Sequence, residues 1–347
     1  MAPAPLHYVP YDELGPATPS VVVDGSPAPG TVLCLSHWPG IASPDAFHAD
    51  LSAEMAFRYA RAFDRHGGAE AVSNNHFDQD GLVGVFALAE PEEALARRDL
   101  LVEVARAGDF AVTSSRRAAR VSMALAAFAD PARSPLPGLG ARDGYAALTA
   151  TCYEETLGRL AELCDHVERA RDLWADEDET LRTSIAALAS GAVTVEEVPA
   201  LDLAVVTVAD AAPRRGGHRF GGRWVVGVAR LHPMALHGAT GRGALLAVHG
   251  RRYELTYRYE SWVQYRSRPV RPRVDLAPLA EALNEAEAGC GTGAHWRAEP
   301  VSALTPALGL AGGPDAESGL PAGTVRSLVE SHLRSAPPAW DPYRLTR

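Results

Sequence analysis

The apolar positions change their period along the chain, and that change divides it. In the first 143 residues short apolar runs alternate with longer amphipathic stretches. Val21-Val22-Val23 lies inside a Pro- and Gly-rich arm and predicts a short strand at a sheet edge. Thr31 to Ser36 predicts a better strand, bounded by Gly30 and by His37-Trp38-Pro39-Gly40. A helix capped by Asp50 or Ser52, with Glu54 in its first turn, should run to about His66. Ala69 to Val72 then predicts a second strand, which places strand, helix and strand in a parallel βαβ unit. The apolar run from Leu82 to Leu88 suits a buried helix or a second strand-like run. Pro91 opens another helix, which carries Leu95, Leu100, Leu101 and Val104 and ends at Gly108. Phe110-Ala111-Val112 reads as a third strand, followed by a helix to about Phe128.

Residues 144–200 carry a helical period through Leu148, Leu157, Leu160, Leu163, Val167, Leu173 and Trp174. From residue 201 the period is that of strands, over 201–208, 224–229, 244–248 and 253–265, with helices over 274–288 and 324–333. The expected class is α/β: an N-terminal parallel α/β sheet domain (1–143), a helical linker (144–200) and a smaller C-terminal α+β domain (201–347). No internal repeat interrupts that order.

Composition narrows the functions available. With 47% hydrophobic residues in 347 there is ample material for a core, and no apolar run is long enough to span a membrane. The N-terminus has neither a basic region nor an apolar one, so no secretory signal is expected, and four scattered cysteines suit reduced thiols in a cytoplasmic protein. The net charge of −10 disfavours bulk duplex DNA as a partner. All 33 basic residues are arginine, which removes a P-loop lysine and Schiff-base chemistry.

The densest chemistry lies after the strand at 69–72, in Ser73-Asn74-Asn75-His76-Phe77-Asp78-Gln79-Asp80-Gly81. One imidazole and two carboxylates within five residues suit Mn²⁺ or Mg²⁺ better than a structural zinc. The competing explanation is a tight turn, with Asp78 in an Asx turn and Asp80 capping the helix opened by Gly81. In the βαβ reading His37 and His76 both follow neighbouring parallel strands on one sheet edge, which makes His37 a candidate fourth ligand. Arg116 and Arg117 follow Thr113-Ser114-Ser115 at a helix start, where an anion could be held, unless Ser114 or Ser115 is only the cap. Residues 251–273 hold seven arginines among five aromatic residues, from which Arg258 and Arg266 are candidates for phosphate contact. Alternation of Tyr253, Leu255, Tyr257 and Tyr259 gives core packing as the other explanation of those aromatics.

His76-Phe77-Asp78-Gln79-Asp80-Gly81, after a strand and before an apolar helix, resembles the first motif, H-x-D-x-D-G, of the DHH phosphoesterase superfamily. Residues 244–297 resemble the C-terminal substrate domain of that superfamily. The resemblance implies that His76, Asp78 and Asp80 are metal ligands with a catalytic role. It also implies that the turn Gly289-Cys290-Gly291-Thr292-Gly293, ending near His295, cradles phosphate, so that Gly291, Gly293 and His295 join the substrate site. The Asp-His-His that defines the superfamily does not occur; the single Asp-His pair, Asp165-His166, falls in a helical pattern and reads as surface. The expected activity is hydrolysis of a phosphodiester or phosphoanhydride in a small phosphorylated substrate or short oligonucleotide, with Mn²⁺ or Mg²⁺. The alternative is a ligand-binding protein with a degenerate DHH-type site.

Overall fold

In the computed structural model, described for residues 4–62, 68–136, 139, 144–209 and 216–344, the chain is a mixed α/β protein. It divides into two compact units, one of Met1–Asp178 with Arg219–Trp224 and Tyr265–Ser267, the other of the remaining residues. The division falls inside the helix Arg171–Ala189, so the first helices after residue 144 group with the N-terminal sheet.

The first unit is built on four parallel strands, β1 (His7–Tyr8), β2 (Ser20–Val23), β3 (Thr31–Leu35) and β4 (Ala71–Ser73), in the order β1-β4-β2-β3. The βα pattern therefore yields a parallel sheet, but β2 is not at the edge. It pairs with β4 through Val21 opposite Val72 and with β3 through Val23 opposite Leu35. Every residue of β2 is buried, which explains its run of branched apolar side chains: an interior parallel strand is covered on both faces. As a result β3 and β4 share an edge of carboxyl ends but are not neighbours.

Helices α1 (Ser52–Ala62), α2 (Gln79–Ala89), α3 (Pro91–Ala96), α4 (Arg98–Asp109) and α5 (Arg116–Phe128) pack in sequence, α1 on α2, α2 on α4 and α4 on α5. Residues 63–67, to which the first helix was expected to extend, lie outside the described residues. The stretch 82–88 is the buried helix α2. A Cβ on its Gly84 would stand 2.3 Å from Val23 Cγ1, so glycine is what lets α2 lie directly on β2. The expected strand at 110–112 is absent. The apolar period of α4 carries on to Asp109, and Phe110 caps the helix. Helices α6 (Tyr145–Leu157), α7 (Leu160–Asp165) and the start of α8 (Arg171–Ala189) complete the unit. None of the described helices is long and apolar enough to cross a membrane.

The second unit has a six-stranded sheet. Its strands are β5 (Val193–Val198), β6 (Leu203–Val208), β9 (Ala244–His249), β10 (Arg252–Tyr257), β12 (Trp296–Ala298) and β13 (Ala307–Leu310). The remaining pairs are the hairpin β7 (His218–Phe220) and β8 (Arg223–Val225), and β11 (Arg273–Val274) with β14 (Pro338–Trp340). Only β6 and β9 run parallel within the six-stranded sheet. Helices α10 (Ala277–Ala288) and α11 (Ala322–Ser335) cover one face, where Leu279, Leu283, Val325 and Val329 meet Leu203, Leu246 and Leu255. A short helix, α9 (Pro233–Ala239), precedes β9. The expected strands at 224–229 and 253–265 are shorter, ending at Val225 and Tyr257. In β10 the residues Tyr253, Leu255 and Tyr257 are buried, so packing accounts for them.

Candidate metal centre

Strands β2, β3 and β4 each lead into a residue with a polar side chain at the same edge of the sheet. Strand β2 runs into Asp24, which takes a left-handed turn (φ 51°) and is buried. Strand β3 runs through Ser36 into His37, and β4 through Asn74 towards His76. Because β2 lies between the other two, Asp24 falls between the two imidazoles. Its Oδ1 is 3.3 Å from His37 Nε2 and its Oδ2 is 3.3 Å from His76 Nε2.

Both imidazoles are aimed from behind. His37 Nδ1 donates to the Asp50 carbonyl at 2.5 Å, and His76 Nδ1 meets Asn75 Oδ1 at 3.1 Å. An oxygen acceptor at Nδ1 fixes the hydrogen there and turns Nε2 inward. Inward, each Nε2 faces carboxylates: Asp24 and Asp109 (3.5 Å) for His37, Asp24 and Asp78 (2.9 Å) for His76. A nitrogen lone pair set against carboxylate oxygens is stable only with a positive charge between them, either a proton or a metal cation.

Asp80 completes the arrangement from α2. Its two oxygens accept from the Ser52 and Ala53 backbone N–H groups at 2.8 and 2.9 Å, so it caps α1 and not its own helix. Asp78 is the residue that caps α2, accepting from Gly81 N–H at 2.8 Å. Asp50, expected to cap α1, instead accepts the backbone N–H groups of Arg266 and Ser267. Ser52 ties the parts together: its hydroxyl donates to Asp24 Oδ1 and accepts from His37 N–H. Gly81 matters for the same turn, since a Cβ there would lie 2.0 Å from Asn74 Nδ2, and Asn74 Oδ1 holds the His76 N–H.

Among the described residues two groups could each hold a metal ion: Asp24, His76 and Asp78, and Asp24, His37 and Asp80, with one donor atom per residue lying within 4.8 Å of the others in its group. Asp24 belongs to both. The donor chemistry fits a cation, because four carboxylates and two inward Nε2 atoms are gathered there.

The electrostatics agree. Burial would raise the Asp24 carboxyl, but hydrogen bonds from His37 and His76 hold it below the usual carboxylate range. Burial would lower His37, yet the hydrogen bond and charge of Asp24, with Asp80, lift it to about 9. His76 is likewise held well above its ordinary value against its burial, by Asp78 and Asp24. Burial and the charge of Asp24 push Asp80 up to about 8. Without a metal the cluster therefore keeps protons that an unfolded chain would release. Both His37 and Asp80 are raised on folding, so their protons stabilise the metal-free fold at low pH: the Asp80 contribution is full below about pH 4 and lost as the pH climbs to about 8, and that of His37 is full below about pH 6.5 and lost as the pH climbs to about 9. A bound cation replaces the protons. The rise in melting temperature caused by a divalent cation should thus be larger at about pH 8.5 than at about pH 6; an equal rise at both would mean that no protons are displaced.

Residues 4–344 match the model of a family described as a family of unknown function, DUF6687. The chain belongs to that family. Neither the curated proteins nor the solved structures gave a match. In this DUF6687 chain the structure brings His37, His76, Asp78 and Asp80 together and adds two residues that sequence reasoning did not propose. Asp24 was missed because its strand reads as an edge, although Val21-Val22-Val23-Asp24-Gly25 has the form of a buried parallel strand ending at a polar turn. A strand at 110–112 would begin just after Asp109 and leave it at the opposite edge, whereas the end of α4 brings Asp109 to His37.

The proposed phosphate-holding residues divide between the two units, and their arginines have internal partners. Ser115 caps α5. Arg116 makes a two-pronged pair with Asp178, and Arg117 donates to the Cys164 carbonyl and Asp165. Asp165 and His166 lie at the exposed end of α7, as expected of a surface pair. Arg266 groups with the first unit, its guanidinium directed to His48. Arg258, Gly291, Gly293 and His295 belong to the second unit. There Arg258 is buried against Glu260 and the Thr240 carbonyl, and the exposed turn at Gly291 and Gly293 is anchored by Thr292 donating to Glu287.

Proposed function

We propose that this protein is a metal-dependent phosphoesterase that hydrolyses a phosphodiester or phosphoanhydride in a small nucleotide or short oligonucleotide. The observation that carries the reading is the Asp24 carboxylate, set between two inward-facing Nε2 atoms with a further aspartate on each side. Its oxygens could serve two cations at once, the arrangement that phosphoryl transfer uses to hold attacking and leaving oxygens. The resemblance of His76-Phe77-Asp78-Gln79-Asp80-Gly81 to the first DHH motif points the same way.

The donor set is four carboxylates and two imidazoles, which favours Mn²⁺ or Mg²⁺ over a thiolate-loving metal. Such an ion would supply Lewis-acid polarisation of a phosphoryl oxygen. The protein's own residues do the positioning. Asp24, His37 and Asp80 form the inner half, held by Ser52 and the start of α1. His76 and Asp78 form the outer half, with side chains 19% and 32% exposed, so a substrate oxygen reaches the centre from their side. Trp38 stands against the His76 ring, 5.3 Å between centroids, and limits how that ring can swing. Four cysteines outside any disulfide support a cytoplasmic setting.

One observation favours a second reading, a protein that binds a phosphorylated ligand without turnover: Arg116, Arg117 and Arg258 are committed to internal partners. Metal analysis with hydrolysis assays on a linear dinucleotide, cyclic dinucleotides and polyphosphate separates the two. For the enzyme we expect stoichiometric Mn²⁺ and turnover that Asp78→Ala lowers by at least about 10³-fold. Ligand binding with neither metal nor turnover supports the second reading and ends the first.

A further inference from the structure

Asp50 has two attachments at opposite ends of one residue. Its backbone carbonyl holds His37 Nδ1–H at 2.5 Å, and its Oδ1 accepts the backbone N–H groups of Arg266 and Ser267 at 2.6 and 2.8 Å. Those two residues, with Tyr265, form a three-residue stretch that groups with the first unit although the chain on either side of it does not. Tyr265 makes a second contact. Its ring meets Phe110 edge to face at 5.1 Å, and Phe110 in turn stands 6.2 Å from the His37 ring. The Arg266 guanidinium makes a third, at His48 Nδ1, while His48 Nε2 donates to the Ser43 carbonyl in the loop after β3.

From these contacts we infer that Tyr265-Arg266-Ser267 is a latch that positions His37 for its cation, acting through Asp50 and Phe110. The inference rests on the metal-centre reading above. Its physical basis is that a metal-binding imidazole performs only when its far nitrogen and its ring plane are both held. His37 cannot be held by its own strand alone, because it lies two residues beyond the end of β3. Its Nδ1 is fixed by a carbonyl whose residue is itself held at the side chain, and its ring is flanked by an aromatic residue that the same stretch packs against. The latch touches neither the cation nor a substrate, so these are positioning residues.

The test is calorimetric titration of the metal-free full chain with Mn²⁺. Asp50→Ala removes the acceptor of both N–H groups, and Tyr265→Ala removes the ring. Each should weaken the tighter binding step by about 10–100-fold. Asp50→Asn and Tyr265→Phe keep the acceptor and the ring and should restore affinity to near that of the wild type. A merely structural role would lower thermal stability in the alanine variants without moving the affinity of the folded fraction. If Asp50→Ala does not fold, Tyr265→Ala decides alone. Folded alanine variants that bind Mn²⁺ as tightly as the wild type overturn the latch and leave the metal centre standing. A wild type that binds no Mn²⁺ overturns the metal centre, and the latch with it.

Discussion

Asp24→Asn should abolish binding of both cations while leaving a folded protein. The substitution keeps the volume of the side chain and an oxygen for the Ser52 hydroxyl, so the turn after β2 is not emptied. What it removes is the charge shared by both halves of the centre. Loss of an outer-shell partner already costs a metal site about 10–100-fold, and loss of a ligand common to two sites costs more. Calorimetry should therefore show no uptake at concentrations that saturate the wild type. The metal-free protein should report the change as well. His37 is raised chiefly through Asp24, and His76 through Asp78 and Asp24, each against its burial, so without the Asp24 charge the His37 imidazole should titrate well below 9. NMR titration of the ring resonances reads that fall directly. Removing one partner from a buried charge cluster costs on the order of 3–5 kcal/mol, so a lower melting temperature is expected too. Full uptake by Asp24→Asn would show that the two halves do not share a ligand.

Much of this centre could be read from the sequence, and what could not has a physical cause. His76, Asp78 and Asp80 stand within five residues, and the local spacing of apolar runs puts them after a strand. His37 was reachable by one further step, because a helix of known length between two strands implies that both point the same way. Strand order is another matter. It is set by which faces must be buried against which helices, and the sequence distance between β2, β3 and β4 says nothing of it. Val21-Val22-Val23 lies among prolines and glycines, the usual company of an edge, yet β2 is the interior strand that carries the shared ligand. Asp109 was hidden by a boundary: whether Phe110-Ala111-Val112 is a strand or a helix end decides which edge of the sheet Asp109 faces. The second unit was legible in its periods, and its alternation of Tyr253, Leu255 and Tyr257 is the buried face of β10.

The unequal burial of the two halves leads to the last expected result. The side chains of Asp24, His37 and Asp109 are 1%, 0% and 4% exposed, and Asp80 is fully buried. Three buried carboxylates around one imidazole carry more negative charge than the protons on His37 and Asp80 offset, and burying uncompensated charge is costly. A divalent cation relieves that cost most strongly at the inner half. The outer half, with His76 and Asp78 partly open to water, gains less from a cation and gives it up more readily. Dialysis of the loaded protein against a chelator should remove one ion quickly and the other slowly, as read by elemental analysis. Asp78→Ala should carry one ion from the start and lose about 1 kcal/mol of stability with the cap of α2. His37→Ala should lose the slowly exchanging ion and lower the metal-free stability by roughly 3–5 kcal/mol, because it removes the buried imidazole set among the inner carboxylates. Two ions leaving at one rate, or an Asp78→Ala chain that holds none, would mean that the halves bind as a single unit and that burial does not set their order.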